Sequence, residues 1–251
     1  MKRSIKFLPE LKQEELGKIT SAILKSCDDV EKIILFGSYA RGDYKEKKDL
    51  NPRQKTGHIS DYDILVVTEN KETTDKFSPW SGAEKLKLSA PVRIIAHDIQ
   101  SLNISLAEGQ YLFTDIKKEG VVLYDSKKHR LADKRRLKPE EKQRIAKDYF
   151  GHWFKKARLF YRDYLSNLAE SSNDKSFLGQ AAFHLHQAAE HSYKTILLVF
   201  TNYNPQEHYL AALGRTTAKH HSDFPRLFPK KNSKRKRSFQ APRVCLHWRS
   251  L

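Results

Sequence analysis

Apolar positions along this chain follow two different periods, and the change between them divides it. Up to about residue 125, short apolar runs alternate with amphipathic stretches; from 141 onward they recur at helical spacing. Leu11 to Ser26 carries Leu11, Leu16, Ile19, Ala22 and Ile23 among charges, which predicts an amphipathic helix that Asp28-Asp29 breaks. Val30 to Phe36 predicts a strand, because the run Ile33-Ile34-Leu35-Phe36 suits a buried strand and is too short for a helix. Ile64 to Val67, Pro91 to His97 and Gly120 to Tyr124 predict three more.

The segments between them are polar. Tyr44 to Ser60, with Pro52 and Gly57, reads as an inserted loop in which Gly57-His58-Ile59 suits a hairpin strand. Asn70 to Ala90 is a connection with a turn at Ser78 to Gly82 and a helical piece from Ala83 to Leu88. Asn103 to Glu119 predicts a helix ending near Gly109, with Tyr111 and Phe113 then packing inward. Mixed strands and helices make 1–125 an α/β or α+β domain.

The second half is all-helical. A basic stretch, 126–140, reads as a linker, with Pro139 at the start of the next helix. Ile145, Tyr149, Trp153, Phe160, Tyr164 and Leu168 form an aromatic stripe. After the polar turn Ser171 to Asp174, Phe177 to Phe200 predicts a long helix, so the pair makes an antiparallel hairpin. A weaker helix, His208 to Lys219, closes a helical domain at 141–229. His184 and His191 lie two turns apart, too far for one ion without other ligands, so groove lining or core hydrogen bonding is expected.

With 251 residues and 39% hydrophobic content the chain can bury a real core. Its formal charge of +17 favours phosphate-rich ligands. Part of that charge is the tail, 230–251, where Lys230, Lys231, Lys234 to Arg237, Arg243 and Arg249 face no acid. Such a block is commonly non-specific in its attraction to nucleic acid. Cys27 and Cys245 form no disulfide or zinc spacing. No apolar run approaches membrane-spanning length and Met1-Lys2-Arg3 leads into charge, so a cytoplasmic setting without a membrane is expected.

Candidate chemistry sits between Ile33 and Val67. The first strand ends in Gly37-Ser38, where a glycine allows close backbone approach and a serine offers a hydroxyl. Tyr39 to Gly42 then predicts a short helix with N–H groups toward phosphate, and Arg41 adds a charge. Asp61 and Asp63 precede the second run and share one face, because strand side chains alternate. Two carboxylates forced together repel, a cost normally accepted to hold a cation. A phosphate loop beside paired aspartates predicts metal-assisted nucleotide chemistry.

The residues GSYARGDY followed by SDYDILVV resemble the minimal nucleotidyltransferase (MNT) domains of the DNA polymerase beta-like superfamily. AAFHLHQAAEHSYKTILLVFTNYNP, with His208 and FPRLFP, resembles the HEPN domain. The resemblance covers about 11–229 and implies an α+β fold: a mixed nucleotidyltransferase sheet with flanking helices, then an all-α HEPN bundle incomplete at its C-terminal end. It implies transfer of an NMP, AMP, from a Mg²⁺-bound NTP, ATP, to an acceptor hydroxyl on a small molecule, protein tyrosine or RNA, with the HEPN domain shaping the acceptor site. Gly37, Ser38 and Arg41 would hold the triphosphate, and Asp61 and Asp63 would bind Mg²⁺. The superfamily carries a third acid on a later strand; Arg93 stands near its usual place, and Asp98 is the nearest substitute. HEPN relatives also imply a homodimer. The alternative is a nucleotide-binding regulatory protein of the MNT–HEPN toxin–antitoxin type. HEPN ribonucleases carry an Arg-x4-6-His motif in their last helix, whereas Arg215 to His220 lies in the weaker third helix and reads as coincidence. The sequence after Pro229 has no helical stripe, and its composition suggests a shifted reading frame or a truncated end.

Overall fold

The computed structural model describes residues 1–49, 59–76 and 86–224. The hairpin strand at 57–59, most of the turn and helical piece at 78–88, and the tail lie outside the described residues. The chain divides into two compact units: Met1–Phe154 with Leu197–Pro205, and Lys155–Ile196 with the described residues from Gln206 on. The sequence-pattern positions 125 and 140 both lie within the first unit, and 229 lies outside the described residues.

The first unit is built on a four-stranded sheet of order β3-β2-β1-β4. Its strands are β1 (Val30–Phe36), β2 (Tyr62–Thr68), β3 (Val92–Asp98) and β4 (Val121–Asp125). β1 pairs antiparallel with β2 and with β4, while β2 and β3 run parallel, so the sheet is mixed. Both of its faces are covered, which explains why the apolar runs are nearly continuous instead of alternating. Ile33, Leu35, Ile64 and Val66 pack with Leu16, Ile19 and Ile23 of α1 (Glu10–Ser26). Ile34, Leu65 and Val67 pack on the other side with Ile99, Leu102, Leu106, Phe113 and Ile116. Each such side chain, fully buried, contributes about 1.5–3 kcal/mol. The predicted helical stripe is rotated in one respect: Leu11 is exposed, and Lys12 and Glu15 are buried in its place.

The helix expected to end near Gly109 is α4 (Ile99–Ala107), and the segment after it forms a further helix, α5 (Tyr111–Glu119); both follow α2 (Gly37–Arg41) and α3 (Lys71–Lys76) in the chain. Between α4 and α5, Gly109 takes φ +72°, a left-handed conformation that ends the first helix. The basic linker is no free tether. Asn103 Nδ2 donates to Arg130 O at 3.1 Å, the Ala132 N–H donates to Asn103 Oδ1 at 2.7 Å, and Lys117 Nζ donates to Ala132 O at 2.7 Å. α6 (Pro139–Tyr149) begins at the predicted proline, and Glu141 accepts from the Lys138 N–H at 2.8 Å.

After a π-helical turn at Phe150–Phe154, which interrupts the aromatic stripe, the second unit opens with α7 (Lys155–Glu170). α8 (Phe177–Thr201) runs back along it, since the Phe160 ring lies 5.0 Å from His191 and Asp163 Oδ2 lies 3.9 Å from His184 Nδ1. α9 (Leu210–Thr217) follows. Buried Glu190 gathers Lys194 Nζ at 2.9 Å and His208 Nδ1 at 3.0 Å, an ionic centre inside an otherwise alanine-rich helix contact. No helix among the described residues is long and apolar enough to cross a membrane.

Candidate functional site

Antiparallel pairing brings the end of β1 beside the start of β2, with Phe36 opposite Asp63. Asp61 and Asp63 are both half-buried and flank Tyr62. Alternation gives Asp63 the face of Leu65 and Val67, puts Asp61 on that face too, and sends Tyr62 to the opposite one.

Gly37 follows Phe36 with φ +70°, and a Cβ there would fall inside contact distance of Asp63 Oδ2 and 3.1 Å from its Cγ. The glycine is therefore required twice, by its backbone angle and by the carboxylate pressed against it. Ser38, half-buried, is the second residue of the five-residue α2, which Gly42 closes by donating its N–H to Ser38 O at 2.8 Å. Gly37, Ser38, Asp61 and Asp63 are thus brought together at one end of the sheet.

Beneath them lies a layer that sequence pattern did not reveal. Tyr39 stacks on Tyr44 and meets Tyr62, both at 4.3 Å between ring centroids. Lys12 Nζ sits 5.6 Å from the Tyr39 ring and 5.9 Å from the Tyr62 ring. Tyr62 donates its hydroxyl to buried Glu15 at 2.6 Å, and Ser89 Oγ donates to the same carboxylate oxygen at 2.7 Å. Burial alone would raise the Glu15 pKa, but the bonds from Tyr62 and Ser89 and the nearby Lys12 hold it below its ordinary value. Tyr62 is pushed up, by burial first and by Glu15 second, and stays a neutral donor. The tyrosines of GSYARGDY and SDYD tie the glycine loop and the aspartates to α1.

One expectation is corrected. Asp98 does not join the aspartates. It pairs with Thr68 at the far end of β3, while Asp63 pairs with Arg93, so five residues, roughly 17 Å of strand, separate the positions. Asp98 caps α4, accepting from the Ser101 N–H at 2.8 Å, and although burial opposes it, that bonding lowers its pKa. Arg41, at the end of α2, forms exposed ion pairs with Asp43 Oδ2 at 3.1 Å and Glu119 Oε2 at 3.8 Å.

The donor set suits a hard divalent ion that takes one or two carboxylates and completes its shell with phosphate oxygens and water. Gly37 pressed against Asp63 leaves backbone where such phosphates would approach. Among the described residues, no group of three or more acidic, histidine or cysteine side chains could hold a metal by itself. His191 Nδ1 lies 2.9 Å from Gln187 O. A cavity of about 260 Å³, lined by Glu69, Ile99, Gln100, Asn103 and His129, belongs to the opposite end of the sheet, since Glu69 follows β2 and Ile99 follows β3.

Residues 18–129 match the family described as polymerase beta, nucleotidyltransferase. That span holds all four strands and both aspartates, and the match supports a polymerase beta-like α+β nucleotidyltransferase domain there. No curated protein matches the chain.

Proposed function

We propose that the first unit transfers AMP from Mg²⁺-bound ATP to an acceptor hydroxyl. The observation that carries this reading is the aspartate pair packed directly against the Gly37 backbone. Asp61 and Asp63 would hold Mg²⁺, which neutralises charge on the phosphates and polarises the α-phosphorus. Gly37 presents backbone without a side chain, so triphosphate oxygens approach the carboxylates closely, and the Ser38 hydroxyl supplies a neutral donor. The acceptor oxygen attacks the α-phosphorus in line, the bond to the bridging α,β-oxygen breaks, pyrophosphate leaves and the acceptor proton passes to water. The acceptor is a hydroxyl of a small molecule, a protein tyrosine or RNA.

The domain is of the MNT type, and the second unit is HEPN-like. The resemblance to HEPN domains implies a homodimer, for which a dimeric mass in light scattering is the check.

One observation favours a regulatory reading of the toxin–antitoxin kind: Arg93, not a third acid, stands beside Asp63. Pyrophosphate release decides between the two. Release from ATP with Mg²⁺ and candidate acceptors, abolished by Asp61→Asn and by Asp63→Asn in folded protein, is the expected result. Binding of Mg²⁺–ATP with no release under any acceptor would establish the regulatory reading, and wild-type rates in either variant would overturn the site.

A further inference from the structure

Arg93 occupies an unusual position for a cation. Parallel pairing sets it in register with Asp63, and Leu65 with Ile95 two residues on. Leu65 and Ile95 both belong to the cluster under α4 and α5, so Asp63 and Arg93 project from that same face on adjacent strands. Neighbouring strands lie about 4.8 Å apart, which puts the base of the Arg93 side chain within one strand spacing of the aspartate. Arg93 is exposed and, unlike Arg41, has no ion pair among the described residues. Its guanidinium is therefore accessible to an anionic ligand held at the aspartates.

We infer that Arg93 is the triphosphate-binding cation of this site and that the site takes a single divalent ion. The inference rests on the nucleotide-transfer reading above and adds to it the number of ions bound and the residue that replaces the missing one. Two carboxylates balance one divalent cation. A second ion would need a further carboxylate, and the position beside Asp63 that could supply it carries positive charge instead. A guanidinium there repels a second cation and offers paired N–H donors to phosphate oxygens, a geometry it matches in two bonds. Arg93 thus supplies fixed positive charge beside the ion held by Asp61 and Asp63, where phosphate oxygens bound to that ion come within its reach.

The test uses the full chain with Mn²⁺ and a non-hydrolysable α,β-methylene ATP, counting bound Mn²⁺ by electron paramagnetic resonance and measuring nucleotide affinity by calorimetry. Wild type is expected to bind one Mn²⁺ per chain with the nucleotide. Arg93→Gln should keep one Mn²⁺ and weaken nucleotide binding by about tenfold or more, with partial recovery in Arg93→Lys. Arg93→Asp should raise the count to two, and thermal melts of each variant check folding at this exposed site. Two Mn²⁺ per wild-type chain, or unchanged nucleotide affinity in folded Arg93→Gln, would overturn the inference while leaving the aspartate site standing. Nucleotide and Mn²⁺ binding that survive Asp61→Asn and Asp63→Asn together would overturn both.

Discussion

Gly37 shows how a single missing Cβ shapes this site. Its φ of +70° and the Asp63 carboxylate against it both exclude a side chain. Gly37→Ala is expected to cost about 1–2 kcal/mol through its backbone conformation alone and to displace Asp63. Calorimetric titration should then show Mg²⁺–ATP binding lost while the protein still melts cooperatively; retained affinity would mean that the loop does not position the carboxylate. Tyr62 works from the opposite side of the strand. Tyr62→Phe takes one donor from buried Glu15, an expected loss of about 1–3 kcal/mol in urea denaturation.

Among the elements, α4 starts where it does because Asp98 accepts the Ser101 N–H. Asp98→Ala should therefore cost about 0.5–2 kcal/mol of stability and leave Mg²⁺-dependent nucleotide binding at the wild-type level. Loss of binding at preserved stability would return Asp98 to the site. The segment after β4 is held just as locally. Asn103 clasps it from both sides, accepting from Ala132 and donating to Arg130, and Leu131 and Ala132 pack against the sheet cluster. Asn103→Ala should make amide exchange at 130–132 markedly faster while the β1 and β2 amides stay protected.

For the whole molecule, buried or partly buried carboxylates set the acid limit. Glu15, Glu31, Asp98 and Asp125 all have lowered pKa values: in Glu15, Glu31 and Asp98 hydrogen bonds outweigh burial, and in Asp125 the Lys32 bond is the largest cause. A carboxylate held lower in the folded state adds stability above its unfolded value and loses it as pH falls through the folded value. Unfolding free energy should accordingly be flat near neutrality and decline below about pH 5, where unfolded carboxylates begin to protonate. Denaturation across that range is the measurement. The Tyr62→Phe protein should lose less stability on acidification than wild type, because its Glu15 has one bond fewer to forfeit.

The sequence by itself determined the strands, the helical second half and the pairing of Asp61 with Asp63, because each follows from local periodicity and one-residue alternation. It also marked Gly37-Ser38, since a glycine at the end of an apolar run is a local signal. Tertiary structure decided which distant residues lie beside the aspartate pair. Register across β2 and β3 placed Arg93 beside Asp63 and sent Asp98 to the far end, and no spacing along one strand encodes its alignment with the next. It decided too that Arg41 pairs with Asp43 and Glu119, and that Glu15 and Lys12, polar positions on an amphipathic helix, are buried under the tyrosines. Charged residues read as solvated when the partners that satisfy them lie tens of residues away, and only folding brings those partners within hydrogen-bond reach.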